Sequence, residues 1–283
     1  MIGKKLTYIV VSILFLVLNL VMHVILDFSQ GIWSLIFIAA YIVFALNFLE
    51  KLELEESSSN EKQVFIAVYF LAVSNFLFFF PALGVTAKIF FIFMTSALSY
   101  FLLLAINVYG VIERRGEIIP LLQPAKMVVF IAFVMVIFLG STEIYKFLFF
   151  INYPLINLAI KICFFAAFYF VMIFFSEWFL FGPTIKGEGD AGEQANQYRI
   201  GRSTPNSRDE NSLKVLSVWV LFITAVFINF FPFEDFGRAV LLAAVSYVLV
   251  NYTQNYISHK LTDKFLLGSA LLLGFVYLTV LFL

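Results

Sequence analysis

The chain is poor in the residues that most enzymes depend on. It has one cysteine, Cys163, and two histidines, His23 and His259. A single cysteine excludes an intrachain disulfide, and two distant histidines give no metal-ligand pair. There is no P-loop, no Gly-rich dinucleotide turn and no Ser, His and acid set that stands out, so no catalytic residue, cofactor or metal is expected. Charge is scarce as well. Asp, Glu, Lys and Arg make up 13% of the residues, against about 25% in soluble domains. The 18 cations balance 18 anions, which leaves no basic surplus to attract nucleic acid.

The chain is rich in apolar side chains, at 63% of residues with 38 phenylalanines. Long apolar runs need a solvent that is itself apolar, and about 20 such residues cross a bilayer as a helix. The fold class predicted is all-α, a polytopic transmembrane helical bundle in one integral membrane domain over 1–283. Nine spans are expected, over 6–26, 32–49, 64–80, 83–107, 127–150, 155–181, 213–231, 237–257 and 265–283. Lys4 and Lys5 ahead of the first run resemble the head of a signal sequence, but LDFSQG offers no small-residue cleavage site, so the run reads as an uncleaved helix. Pro120 and Pro124 are expected to stop any helix from running through 107–126. Residues 184–212 are polar and rich in Gly, Asn, Ser and Arg, and read as a mobile cytoplasmic loop.

The fifth span is short of apolar residues, since Ser141, Thr142, Glu143 and Lys146 follow Gly140. Cation counting decides for it, because cytoplasmic segments carry the excess of Lys and Arg. With nine spans and a cytoplasmic N-terminus, fourteen of the eighteen cations lie inside, and only Lys88, Lys146, Lys161 and Arg238 lie outside. Removing the fifth span evens the split to ten and eight. The expected setting is a cell membrane, with the N-terminus in the cytoplasm and the C-terminus outside. Trp33 near an outer helix end, and Trp178 and Trp219 near inner ends, suit this orientation.

One pattern occurs three times: an apolar run ends in aromatics, a proline breaks it, and a cation follows about two turns later. It runs from Asn75 through Pro81 to Lys88, from Phe147 through Pro154 to Lys161, and from Phe227 through Pro232 to Arg238. The prolines are spaced by 73 and 78 residues, which is two helices and a connection, so a threefold parallel hairpin repeat is one reading. Convergence on a common hairpin design is the other.

Lys88, Lys161 and Arg238 fall within roughly 10 Å of the expected outer helix ends, at 1.5 Å per residue. Such cations can snorkel to the headgroups. They could also form an anion site for a lipid headgroup or solute, or pair with Glu143, Glu234 or Asp235. Asn19, His23 and Asp27 recur at four-residue spacing and share a polar intramembrane face. That face can serve hydrogen bonding between helices or, through His23, proton relay. Asn251, Gln254 and Asn255 make an unusually polar end to the eighth span, suited to helix packing or to a solute pathway.

The run NVYGV from Asn107, followed by IIPLLQPA from Ile118 to Ala125, resembles a motif of uncharacterised multi-pass bacterial membrane proteins. That resemblance covers about twenty residues and implies a bacterial polytopic membrane protein with no activity attached. The leading functional expectation is therefore a non-enzymatic accessory or scaffold subunit of a membrane complex. Its partners would be membrane lipids and other membrane subunits or a second copy of itself. The alternatives are a transporter or lipid-binding protein using the outer cations, and a lipid-modifying enzyme using Glu143, Glu177 or His23.

Overall fold

The computed structural model describes residues 2–25, 32–50, 59–79, 83–115, 120–146, 154–180, 207–229, 231, 233–257 and 261–282. Among them there is no strand. Ten α-helices follow in order: α1 (Ile2–Leu20), α2 (Ile32–Glu50), α3 (Ser59–Phe79), α4 (Val85–Arg115), α5 (Leu122–Lys146), α6 (Pro154–Phe174), α7 (Glu177–Leu180), α8 (Ser207–Ile228), α9 (Asp235–Ile257) and α10 (Asp263–Phe282). A π-helical turn, Val21–Ile25, continues α1.

Eight of these helices are long and apolar enough to cross a membrane. The second expected span lies on α2, a 19-residue helix with a described apolar stretch over Ile38–Asn47. Eight helices of crossing length and apolarity are counted among the described residues. The fifth span is a 25-residue helix. It continues through Ser141 and Thr142, which find partners: Thr142 Oγ1 donates to the Phe138 carbonyl at 2.7 Å, and Ser141 is hydrogen-bonded to Tyr169.

Three boundaries differ from the sequence expectation, each for a local reason. The fourth span was expected to end at 107, yet α4 runs on to Arg115, held by the fully buried Tyr109 and Ile112. Pro124 does not delay α5, because the third residue of a helix has no i−4 partner to lose. The sixth span was expected to continue to 181, but α6 stops at Phe174 and α7 begins at Glu177. Trp178 Nε1 donates to the Phe175 carbonyl at 3.1 Å, which satisfies an acceptor at the break. Of the expected loop 184–212, Ser207 onward is helical, a polar turn and a half placed before the apolar part of α8. The remainder, 184–206, lies outside the described residues, as do Asp27, Pro81 and Pro232.

The chain divides into two compact units, Met1–Val136 and Ile137–Leu283, with the division falling inside α5. In the first, α1 packs on α4, and α2 on α3. Its centre is a ring cluster: Phe15 lies 4.6 Å from Phe70 and 5.6 Å from Tyr41. The Tyr41 hydroxyl donates to the Val11 carbonyl at 2.9 Å, and the Tyr69 hydroxyl to the Thr95 carbonyl at 2.7 Å. α1 turns Leu6, Ile9, Val10, Ile13, Leu14 and Val17 outward and buries Ser12, Asn19 and His23. That arrangement suits a helix whose outer solvent is lipid, where polar groups have to find partners inside the protein.

In the second unit α6 packs on α8, and α9 on both α8 and α10. Ser141 and the Tyr169 hydroxyl are hydrogen-bonded at 3.1 Å across α5 and α6. Gly140 allows the close approach, because a Cβ there would collide with the Phe168 ring. Gly237 plays the same part between α9 and α10, where a Cβ would lie 2.7 Å from Val280 Cγ1.

Candidate functional site

Helix ends carry unsatisfied carbonyls, and in the second unit two of the three repeat-associated cations are directed at such groups. Tyr145 lies in the last turn of α5, and its carbonyl accepts a hydrogen bond from Lys161 Nζ of α6 at 2.8 Å. Arg238, in the first turn of α9, donates from NH2 to the Phe231 carbonyl and from NH1 to Asp235 Oδ1, both at 3.3 Å. Its guanidinium also stands over the Tyr145 ring, 5.7 Å from the centroid, within reach of a cation–π attraction. Lys161 and Arg238 therefore meet around one residue.

Tyr145 is the hub of this arrangement. Its hydroxyl donates to the Ala225 carbonyl of α8 at 3.1 Å, and that carbonyl also accepts Asn229 Nδ2 at 2.7 Å. The acceptor is available because α8 is ending: Asn229 N bonds to Val226 rather than to Ala225. The ring of Tyr145 lies 4.8 Å from Phe165, which stacks on Tyr169 at 5.8 Å. One tyrosine thus ties the ends of α5 and α8 together under two cations. In chemical terms the cluster can hold helix ends in place and present positive charge beside an aromatic face. Of the anions expected to pair with the cations, Asp235 makes the bond, Glu234 is exposed, and Glu143 Oε1 is buried with no hydrogen-bond partner.

Lys88 belongs to the first unit, where its side chain is buried. Its backbone N–H closes onto the Gly84 carbonyl at 3.0 Å, as that of Arg238 closes onto Glu234 at 2.9 Å. Of the three residues expected to share a polar face, Asn19 of α1 and His23 of the turn after it are described, and both are buried. Asn19 is 1% exposed and donates Nδ2 to the Phe15 carbonyl at 2.9 Å. His23, in the π turn, is 4% exposed and lies edge-on to Phe78 at 4.4 Å.

Asn251 Nδ2 donates to the Tyr247 carbonyl of its own helix at 2.9 Å, and Gln254 and Asn255, half-buried, follow the buried Thr253. Of the residues considered for lipid chemistry, His23 lies in the first unit, Glu143 in the second, and the Glu177 side chain outside the described set. Among the described residues no three His, Cys, Asp or Glu side chains could hold a metal ion.

Sequence reasoning missed Tyr145, Asn229, Ser12, Ser74, Ser96 and Ser99. For Ser12 a signal did exist, since it precedes Asn19 by seven residues on the same helix face. For Tyr145 there was none, because its partners come from α6, α8 and α9.

These features together define an all-helical, multi-pass membrane protein. Comparison of the chain with known families, with curated proteins and with solved structures finds no match.

Proposed function

We propose that the chain is a non-enzymatic accessory or scaffold subunit of a membrane complex. The observation that carries this reading is α10. Only 6% of its crossing window is buried within the protein, against 22–56% for the other seven spans. It meets α9 at Gly237 and Val280, and Tyr277 lies against Phe233 just before α9. Leu267, Leu271, Phe275 and Phe282 remain exposed. Lipid can cover such a surface, and so can the helix of another subunit. The test is a single cysteine at Leu271 or Phe275 in a Cys163→Ser background, cross-linked in native membranes. A discrete adduct with one other chain or with a second copy supports the scaffold, and lipid adducts alone at both positions refute it.

The topology proposed with it has α2 as a ninth crossing, with the N-terminus in the cytoplasm and the C-terminus outside a bacterial cell membrane. A reporter fused after Leu283 should read outside, and a cytoplasmic signal would overturn it. The hairpin repeat is proposed with it: in two of its three copies, the cation, Lys161 or Arg238, donates to a main-chain carbonyl that precedes its own helix.

A second reading, binding of an anionic lipid headgroup or solute, is favoured by the convergence of Lys161 and Arg238 on Tyr145. Charge reversal at Lys88, Lys161 and Arg238 would remove anionic lipid that co-purifies with the wild type. Retention of that lipid would eliminate the reading.

A further inference from the structure

We infer that the first unit holds ordered water inside its helix bundle, at a site formed by Asn19 of α1, Ser74 of α3 and Ser96 of α4. These side chains are 1%, 1% and 3% exposed. Asn19 Oδ1, Ser74 Oγ and Ser96 Oγ are each buried with no hydrogen-bond partner in the protein. A buried polar atom left without a partner forfeits its hydration with nothing in return, and three in one bundle call for something polar that satisfies them.

Helix register brings the three together. Phe15 contacts Phe70, and His23 contacts Phe78, so α1 and α3 run parallel with an offset of 55. Asn19, midway between Phe15 and His23, therefore stands opposite Ser74. Ser12 Oγ lies 3.1 Å from Ser99 Oγ, and α4 runs antiparallel to α1, which places Ser96 level with Phe15. An independent contact agrees: Phe76 of α3 meets Phe91 of α4 at 5.1 Å, within a residue of the position this register assigns.

Ser96 is then one helical turn, about 6 Å along the axis, from the level of Asn19 and Ser74. Side chains lean toward the N-terminus of their own helix. Asn19 and Ser74 thus lean toward the level of Ser96, and Ser96 leans toward theirs. The amide of Asn19 follows this direction, since its Nδ2 is tied back to the Phe15 carbonyl.

The chemistry of the set selects the occupant. One carbonyl acceptor and two hydroxyls that can each donate or accept offer a water its usual two to four partners. The three side chains are neutral, so an ion would lack the counter-charge that burial demands. The polar track is longer than this site. It begins at the Ser12–Ser99 pair and ends near His23, whose π turn lies against Phe78. The hydration site is independent of whether the protein is a scaffold or binds anions.

The experiment is water-edited solid-state NMR on the full chain in lipid bilayers, with labelled Asn, Ser and Phe. The Asn19 peak is assigned by its loss in Asn19→Gln. Magnetisation from water should reach the Asn19 side chain and the Cβ atoms of Ser74 and Ser96 several times faster than it reaches Phe133, which is fully buried in the same unit. Ser74→Ala with Ser96→Ala should slow the Asn19 transfer to the Phe133 rate. Transfer at the Phe133 rate in the wild type, where folding is not in question, overturns the inference. So does fast transfer at Asn19 that the double substitution leaves unchanged.

Discussion

The two units differ in where most of their polar contacts sit, although each holds one interior pair, Ser12 with Ser99 in the first and Ser141 with Tyr169 in the second. In the second, the polar groups that carry its architecture sit at helix ends and are directed at main-chain carbonyls: Lys161 at Tyr145, Arg238 at Phe231, the Tyr145 hydroxyl at Ala225. In the first, small polar side chains lie deep between helices; Asn19, Ser74 and Ser96 keep an atom unsatisfied by protein there, as Glu143, Asn157 and Ser176 do in the second. The difference teaches what association in lipid depends on. Lipid tails are as apolar as leucine, so burying Phe or Leu between helices gains little by transfer. Fit and hydrogen bonding decide which helices pair. The second unit achieves this by bracing helix ends around close-packed glycines, and the first by interior polar contacts around a ring cluster.

The largest test of the contrast is Gly237→Leu. A side chain at the contact with Val280 overpacks the α9–α10 interface, and overpacking costs up to about 3 kcal/mol. Reversible unfolding in mixed micelles should fall by that order, and α10 should become accessible to protease. Next comes Phe15→Ala in the first unit. The transfer part of its loss is small in lipid, leaving a cavity on the order of 100 Å³ and a cost of about 2 kcal/mol at roughly 24 cal/mol per Å³. If Phe15→Ala exceeds Gly237→Leu in the same assay, ring packing outweighs glycine fit and the contrast has to be redrawn.

Lys161→Met should cost about 1 kcal/mol, because it leaves the Tyr145 carbonyl without its charged donor at a partly exposed site. Lys161→Arg should restore most of it. The same measurement on Lys161→Arg sharpens the point: a loss equal to that of Met would show that the lysine acts by shape and not by its N–H. The smallest effect is expected for Ser12→Ala, about 0.6 kcal/mol for one interhelical bond in a bilayer. A value above that of Lys161→Met would reverse the ranking of end bracing over interior bonds.

Most helices were legible in the sequence because a bilayer demands long apolar runs, and such runs are hard to hide. The boundaries were less so. The end of α4 beyond Asn107 depends on burial of Tyr109 and Ile112, and the break after Phe174 depends on where a tryptophan finds an acceptor, neither of which is a pattern in hydropathy. For the candidate site, position was legible and role was not. Spacing singled out Lys161 and Arg238 from the proline pattern, but their meeting at Tyr145 requires four helices to be assembled first. Asn19 and His23 were found by their four-residue spacing, whereas Ser74 and Ser96 look like ordinary small residues until register sets them beside Asn19.

The π turn at Val21–Ile25 carries an extra residue into each hydrogen-bonded ring compared with the helix before it. Deleting one residue within the turn would let the segment close as a regular helix, leaving everything up to Asn19 as it is. Because the wide turn takes up one surplus residue, the deletion would remove the bulge without rotating the stretch before it, and His23 would change its neighbours only within the turn itself. A single codon could therefore redraw the polar lining at this point while leaving the anchoring half of the helix in register.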